Sequence, residues 1–480
     1  MKNYAFILIP ALFLGACASS PPRGIPEIGM EVPDAFVVEA TSGVVRDGWL
    51  MTFNDTQLYA LVIEALKNNP DLEAAVARVD QAVALARREG AAAQPTLNFN
   101  ANGSKSQNLS RTSGPVDSFD SFRRSRSTSL GASLDVSWEL DVWGRVRAAQ
   151  SAALADVDAA EDNLQGARFS LAAQTAKAWF SASESYLQYE LALETEKSFR
   201  ETAELTEGRF KRGLVTAADV HLTRTSAAAA AARVGSTRQS LNASVRAIEV
   251  LLGRYPANEL EIMDDLIAVP SAIPAGIPSD LLLRRPDLRA AERSLAASLQ
   301  RTRSARADFF PRIALTGSAG TTSDALRDII DPKHLVWNFL VNLTAPVLDG
   351  GLRSSNLQLQ KGQVAEAAAN FRSSALNAFQ EVENFLDAEI LLKTQETALE
   401  EAAVESEAAY RRTQQEYAKG LTDINLVLSA QRSFIDSQRD FLTIKRVRLN
   451  NRVDLYLSLG GNVLPPNDQA YIESPDSPKS

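Results

Sequence analysis

The 480-residue chain reads as an α+β membrane protein built from two internal repeats, each a pair of bilayer-length strands followed by a long helical hairpin. Three observations predict this. The chain writes one opening twice, "NPDLEAAVARVDQA" from Asn69 and "RPDLRAAERSLAAS" from Arg285, and the offset that relates Pro70 to Pro286 also relates Pro95 to Pro311. Proline is absent between Pro115 and Pro256 and again between Pro346 and Pro465, and both spans are rich in Ala, Leu, Gln, Glu and Arg, the good helix formers. Ahead of each span lie segments in which apolar and polar residues alternate one by one, the period of a strand with one greasy and one wet face.

Residues 1–16 carry one Lys, the apolar run "YAFILIPALFL" and small residues before Cys17, which is how a bacterial export signal is built. Such a segment is too short to span a bilayer and persist. Cys17 closes "LGAC" and is the only cysteine, which excludes disulfides within the chain and a cysteine-based metal site. Its setting resembles the lipobox of bacterial lipoproteins, in which the cysteine is acylated. Residues 1–16 are then a lipoprotein signal peptide and 17–55 a lipid-anchored N-terminal segment. Ala18 follows rather than an aspartate, which by lipoprotein habit directs the protein to the outer membrane. A formal charge of −9 offers no basic face to nucleic acid. After residue 16 no stretch approaches the roughly 20 apolar residues of a spanning helix, so any crossing must be made by strands.

The first repeat, 56–255, holds a helix, two strands and a helical hairpin. "TLNFNAN" from Thr96 sets Leu97, Phe99 and Ala101 against three asparagines. "SLGASLDVSWELDVW" sets apolar or small residues at even positions from 130 to 142 against Ser133, Asp135, Ser137, Glu139 and Asp141. The wet face puts Asp135, Glu139 and Asp141 in the lumen of any channel, where they favour cations modestly or simply keep that face hydrated. Trp138, Trp143 and Trp337 suit interface anchors, with burial between subunits the alternative for Trp143. A polar loop is predicted over 104–127, with Arg111, Arg123, Arg124 and Arg126. From Arg145 to Arg212 runs one helix of 68 residues, about 100 Å at 1.5 Å per residue. It ends at Gly213, behind a basic residue that suits the negative end of a helix, and a second helix returns over roughly 215–253.

Residues 256–280 carry Pro256, Pro270, Pro274 and Pro278 and read as the linker between halves. The second repeat, 281–463, restates the plan. "PRIALTGSAG" and "VWNFLVNLTAPVL" are its strands, with Trp337, Phe339, Val341, Leu343 and Val347 on one face and a short loop near 320–335 between them. Leu352 to Lys419 is its long helix, Gly420 its turn and 423–458 its returning helix. The second half is nine residues shorter between strand and turn, and loops at strand tips are where length varies cheaply. The tail 464–480, rich in Pro, Ser and Asp, reads as disordered. Four strands cannot close a barrel, since the smallest membrane barrels have about eight and an open edge in lipid leaves backbone groups unpaired. Oligomerisation is therefore required, and four strands from each of three copies give twelve.

No enzyme constellation is present. His221 and His334 are the only histidines and fall in different elements, no Gly-Lys-Ser/Thr follows a glycine cluster, and Asp264 and Asp265 sit solvated in the linker. No cofactor or metal is expected.

The lipobox, the doubled "PDLxAA", the strand openings "QPTL" and "FPRI", "WELDVWGRVRAA" with its partner "LDGGLRSS", and the turns "RFKRGLVTAADV" and "EYAKGLTDINLVLSAQR" together resemble the outer membrane efflux proteins, the TolC-like channels. Among them the chain is most similar to the lipid-anchored OprM and NodT group, from about Cys17 to Leu464. The resemblance implies a homotrimer with a twelve-stranded barrel in the outer membrane and a helical tunnel in the periplasm. It implies docking to a periplasmic adaptor (membrane fusion) protein and an inner-membrane pump of RND or ABC type. The function it implies is a passive exit duct for drugs or other small molecules; a type I protein-secretion duct or a poreless periplasmic scaffold are the alternatives. It also implies that the turns, Gly213, Leu214 and Val215 with Gly420, Leu421 and Thr422, meet the adaptor. Tyr417 and Asp219 match a tyrosine and an aspartate that close the TolC channel by joining hairpins. Leu426 and Ser429 replace two lumen aspartates of TolC, which puts an acidic ring in doubt and leaves Asp423, Asn425 and Ser429 as further gate candidates. Asp423 equally suits a helix cap.

Overall fold

The structure is a computed structural model that describes residues 18–24, 26, 32–38, 47–112, 121–262, 265–270, 273, 274 and 278–465. Cys17, the leader before it and the tail from 466 lie outside the described residues. In chain order the elements are α1 (Thr56–Asn68), α2 (Pro70–Ala91), β1 (Thr96–Thr112), β2 (Ser121–Leu140), α3 (Arg145–Lys211), α4 (Ala217–Leu251), α5 (Pro278–Arg284), α6 (Pro286–Ala307), β3 (Arg312–Ser323), β4 (Leu335–Thr344), α7 (Leu352–Ala418) and α8 (Ile424–Ser458). The doubled motif now has a structural meaning. Pro70 and Pro286 each open a helix of 22 residues, at the position where a missing N–H costs nothing. The long helices α3 and α7 have 67 residues each, and α4 and α8 have 35 each.

The strands form one antiparallel sheet in the order β1-β2-β3-β4. Register carries one face across it: Leu97 lies opposite Val136, Val136 opposite Gly317, and Gly317 opposite Phe339. Two sequence expectations are corrected here. Residues 104–112 and 121–127 are strand, because β1 and β2 go on pairing to Thr112 and Ser121; serine, asparagine and arginine on both faces had erased the alternation, yet the backbone ladder continues. Val347 lies beyond β4, which ends at Thr344 ahead of Pro346.

Two compact units are formed, and neither coincides with a repeat. Among the described residues one comprises those of 18–24, 80–159 and 292–369, with the sheet; the other comprises those of 26–79, 160–291 and 370–465. The second unit holds the main core. Trp49 stacks on Tyr456 with ring centroids 5.5 Å apart, Phe53 meets Phe180 at 5.5 Å, and Leu58, Trp179, Ile248, Phe371, Val382 and Val453 complete it. Residues expected to serve only as an anchor segment thus supply two of its aromatics. Asp55 joins the core to α1: its Oδ1 accepts the N–H groups of Gln57 and Leu58, and its Oδ2 accepts the indole N–H of Trp179 at 2.8 Å. The linker is packed rather than loose, since Leu266 and Ile273 are buried in the same core. Val463 and Leu464 are buried there too, so the packed chain continues past 463.

Candidate functional site

The sheet presents two chemically opposite faces. On one, Leu97, Phe99, Leu134, Val136, Leu335, Trp337, Phe339, Val341 and Leu343 stay exposed, Trp337 at 76 %. A row of large apolar side chains on one strand face is the pattern of contact with lipid. The opposite face is largely polar, with Val336 and Leu340 of β4 as its exposed apolar exceptions. Asp135 accepts hydrogen bonds there from Asn100 and from the Ser133 hydroxyl. Among the described residues β1 and β4 pair on one side only, so each leaves an open edge.

Glu139 shares the polar face, where its Oε1 receives both Nε (3.0 Å) and Nη2 (2.9 Å) of Arg145. Asp141 does not. It lies past the end of β2, and its carboxylate accepts the backbone N–H groups of Val146 (3.0 Å) and Arg147 (2.8 Å) and the Arg147 Nε. The residue expected on the wet strand face is therefore the cap that turns strand into helix. Its repeat partner does the same work. Asp349 accepts the backbone N–H groups of Gly351 (3.1 Å) and Arg353 (3.2 Å), and Arg353 Nε at 2.5 Å. The Arg353 guanidinium holds the Asp349 carboxyl below the usual range, assisted by those backbone donors. At the same junction Trp143 donates to the Pro311 carbonyl (2.7 Å) and stacks on Phe310, and Trp138 donates to the carbonyl of Ala93 (2.9 Å).

The residues that follow Cys17 are fastened to the sheet-bearing unit by Arg293, a side chain absent from the sequence-based candidates. Its guanidinium is fully buried and donates to the carbonyls of Pro21 (2.6 Å) and Pro22 (3.1 Å) while paired with Glu292 and Asp158. Ser20 donates to the same Asp158, and Ser151 to the carbonyl of Ser19 at 2.7 Å. The signal that could have found it is a break in the repeat: Glu292-Arg293 stand where the first copy has Val76-Ala77.

Both hairpin tips are built alike. After α3 the N–H of Gly213 bonds to the carbonyl of Phe210 and that of Leu214 to Arg209; after α7 the N–H of Gly420 bonds to Tyr417 and that of Leu421 to Glu416. This double closure needs a left-handed residue, and Gly213 (φ 73°) and Gly420 (φ 75°) supply it without strain. Each tip leaves a leucine in solvent, Leu214 at 62 % and Leu421 at 74 % exposed, while Val215 and Thr422 are half-buried. Thr216 and Asp219 form a reciprocal capping box at the start of α4, and Asp423 accepts the N–H of Leu426 at the start of α8.

The Tyr417 to Asp219 bond is not made within the chain. Tyr417 is 2 % exposed; its hydroxyl meets Thr206 Oγ1 at 3.1 Å, and Arg209 lies over its ring at 4.6 Å and donates to its carbonyl. The Asp219 carboxylate is spent on its own helix start, where it accepts the backbone N–H of Thr216 at 2.9 Å and the Thr216 hydroxyl at 2.8 Å. Asn425, Leu426 and Ser429 are exposed, while Ile424, Val427 and Leu428 are buried. His221 is exposed on α4, and His334 lies just before β4.

Comparison with known proteins matches residues 61–254 and 277–461 to the family described as outer membrane efflux protein. The cation efflux system protein CusC of Escherichia coli K12 is 29 % identical over 460 residues, spanning 94 % of this chain and 97 % of that one. The probable efflux pump outer membrane protein SepC of Pseudomonas putida is 30 % identical over 413 residues, 86 % of this chain and 85 % of that one. Among solved structures the outer-membrane channel OprN superposes with a TM-score of 0.82 at 28 % identity, covering 94 % of this chain and all of the other. The open state of the MtrE channel of Neisseria gonorrhoeae superposes at 0.79 and 29 % identity, covering 93 % and 99 %.

Proposed function

Since the chain belongs to the outer membrane efflux protein family, forming an efflux-pump channel of the outer membrane that spans into the periplasm, we propose that three copies close the pore and that each is held by an acylated Cys17. The observation that carries this reading is the four-stranded sheet with an exposed apolar face, a polar face and two open edges. One copy cannot satisfy those edges in lipid; joining β4 of one protomer to β1 of the next gives a ring of twelve strands with a wet interior. Solutes then pass without chemistry, and Asp135 and Glu139 line the wall, Glu139 neutralised by Arg145. The channel takes small molecules from an inner-membrane pump of RND or ABC type through a periplasmic adaptor, a reading supported by relatives named as parts of efflux systems.

The tips, Gly213, Leu214 and Val215 with Gly420, Leu421 and Thr422, are where the adaptor docks: each bares one leucine that packs against nothing in its own turn. The periplasmic gate lies in the same region, with Asn425, Asp423 and Ser429 on the exposed side of α8 and Tyr417 with Asp219 holding their own hairpins in shape. Purified protein in planar bilayers tests the reading. Discrete single-channel conductance together with a trimer mass by native mass spectrometry is expected; a monomer without conductance defeats it. Cys17→Ala should keep conductance and lose labelled palmitate.

A further inference from the structure

The β1–β2 hairpin outgrows the rest of the sheet. β3 ends at Ser323, opposite Leu130, whereas β1 and β2 pair for nine rungs more, from Ser104 opposite Ser129 to Thr112 opposite Ser121. Charge is segregated along these two strands. Their only carboxylates are Asp135 and Glu139, in the half joined to the helices, and their basic residues, Lys105, Arg111, Arg123, Arg124 and Arg126, all lie in the extension. Because successive side chains alternate faces, Lys105, Arg124 and Arg126 continue the apolar face of Leu97, Phe99, Leu134 and Val136, whereas Arg123 falls on the polar face with Asp135.

All three cations are exposed, and Arg126 Nε donates to Gln107 Oε1 at 2.9 Å across the ladder, which aligns its guanidinium along the same face. Leu109, opposite Arg124, is exposed among them. On this face Thr128 with Lys105, then Arg126, then Arg124 follow Leu130 at steps of about 7 Å along the strand. A lipid-facing surface that turns from apolar to cationic within one step matches a boundary where acyl chains give way to anionic head groups. The helix-joined end of the sheet is the periplasmic one, so the extension stands at the outer leaflet, whose lipid is a phosphorylated glycolipid.

We propose that the outward face of this extension, Lys105, Arg124 and Arg126, is a binding site for the phosphates of outer-leaflet glycolipid. Arginine offers a planar fork matched to phosphate oxygens, and lysine adds a point charge nearest the apolar band. No carboxylate on either strand's extension competes for them. The site rests on the barrel reading above but not on the gate, the pump or the adaptor.

The test uses the full-length channel in detergent and three probes: bisphosphorylated lipid A, the same lipid stripped of phosphate, and inorganic phosphate. Bisphosphorylated lipid A should bind wild type best, with about fivefold weaker binding for each of Lys105→Gln, Arg124→Gln and Arg126→Gln and a larger loss for the triple variant. Arg123→Gln, on the other face, should bind like wild type. Conductance should persist in every variant, which separates failure of this site from failure of the channel; should the triple variant not assemble, the single variants decide. Equal binding of the phosphate-free lipid, equal loss in Arg123→Gln, or full competition by millimolar inorganic phosphate would each overturn the proposal, the last in favour of a soluble-anion site.

Discussion

The Tyr417 hydroxyl donates to Thr206 Oγ1 at 3.1 Å, since the single Thr206 proton is already given to the Thr202 carbonyl. This contact joins α7 to α3 inside one protomer, with Arg209 closing over the ring. Tyr417→Phe and Thr206→Val should each cost about 1 kcal/mol, and the double variant little more than either, because both remove one hydrogen bond. Asp219→Ala, which removes a capping box, should cost about 1 kcal/mol and add independently to Tyr417→Phe. Thermal unfolding of these variants and of the Asp219→Ala/Tyr417→Phe double checks this. A strong coupling between Tyr417 and Asp219 would restore the direct hairpin bond that the chain on its own does not make.

Arg293 binds backbone that precedes it by some 270 residues, and its removal leaves Asp158 and Glu292 without their shared cation. Arg293→Met should therefore loosen residues 18–24 and destabilise the sheet-bearing unit by about 3–5 kcal/mol. Limited proteolysis reads the first effect: cleavage between Ala18 and Gly24 should accelerate at least tenfold over wild type. Unchanged cleavage would mean that Ser19 and Ser20 hold the segment without the arginine.

Legibility in the sequence followed periodicity. Prolines, glycine turns and repeat offsets located the four long helices to within two residues, because helix length and helix stops are local properties. The apolar face of the strands was legible wherever apolar and polar residues alternate. The extension of β1 and β2 was not, since two polar faces leave no alternation although pairing persists. Asp141 was misplaced because an aspartate that ends a strand pattern and one that begins a helix look alike, and only its bonds to Val146 and Arg147 separate them. Arg293 was missed for a different reason: the repeat breaks at Glu292-Arg293, but two of its partners are main-chain carbonyls distant in sequence, so the break alone does not say what the arginine binds.

The two faces of β2 can be told apart by one adjacent pair. Val136 is exposed between Leu97 and Gly317 on the apolar face, which meets lipid in the proposed barrel, so Val136→Arg should cost about 2–4 kcal/mol and reduce assembled protein in the membrane. Ser137→Arg, on the polar face, should assemble normally and alter ion selectivity by adding charge to the wall. Heat-resistant oligomer on a gel and reversal potential in a salt gradient are the measurements. Equal yields from both variants would refute the assignment of faces.

Packing in the second unit gives a prediction that depends on neither lipid nor partner. Trp49 is 1 % exposed, stacked on Tyr456 and edge-on to Phe53 at 6.0 Å, so Trp49→Ala should leave a cavity and cost about 3–5 kcal/mol in thermal unfolding. A loss below 1 kcal/mol would show that residues 47–55 do not contribute to the core.

Asp349 carries the pH dependence of the second strand-to-helix junction. Its carboxyl titrates below the usual value because the Arg353 guanidinium and the backbone N–H groups of Arg353 and Gly351 favour the ion. A depressed folded-state pKa contributes stability that is fully present above the ordinary carboxylate pKa of about 4 and is lost as pH falls through the lower folded value. Asparagine caps helices nearly as well as aspartate but cannot pair with arginine, so Asp349→Asn isolates the charge. Wild type should melt above Asp349→Asn by a constant margin at pH 6 to 8, and the two curves should converge as the pH drops below about 4. Arg353→Met should show the same convergence, because it removes the other half of the pair, and in that background Asp349→Asn should change little. A margin that persists undiminished at low pH would assign the effect to packing of the junction rather than to the ion pair.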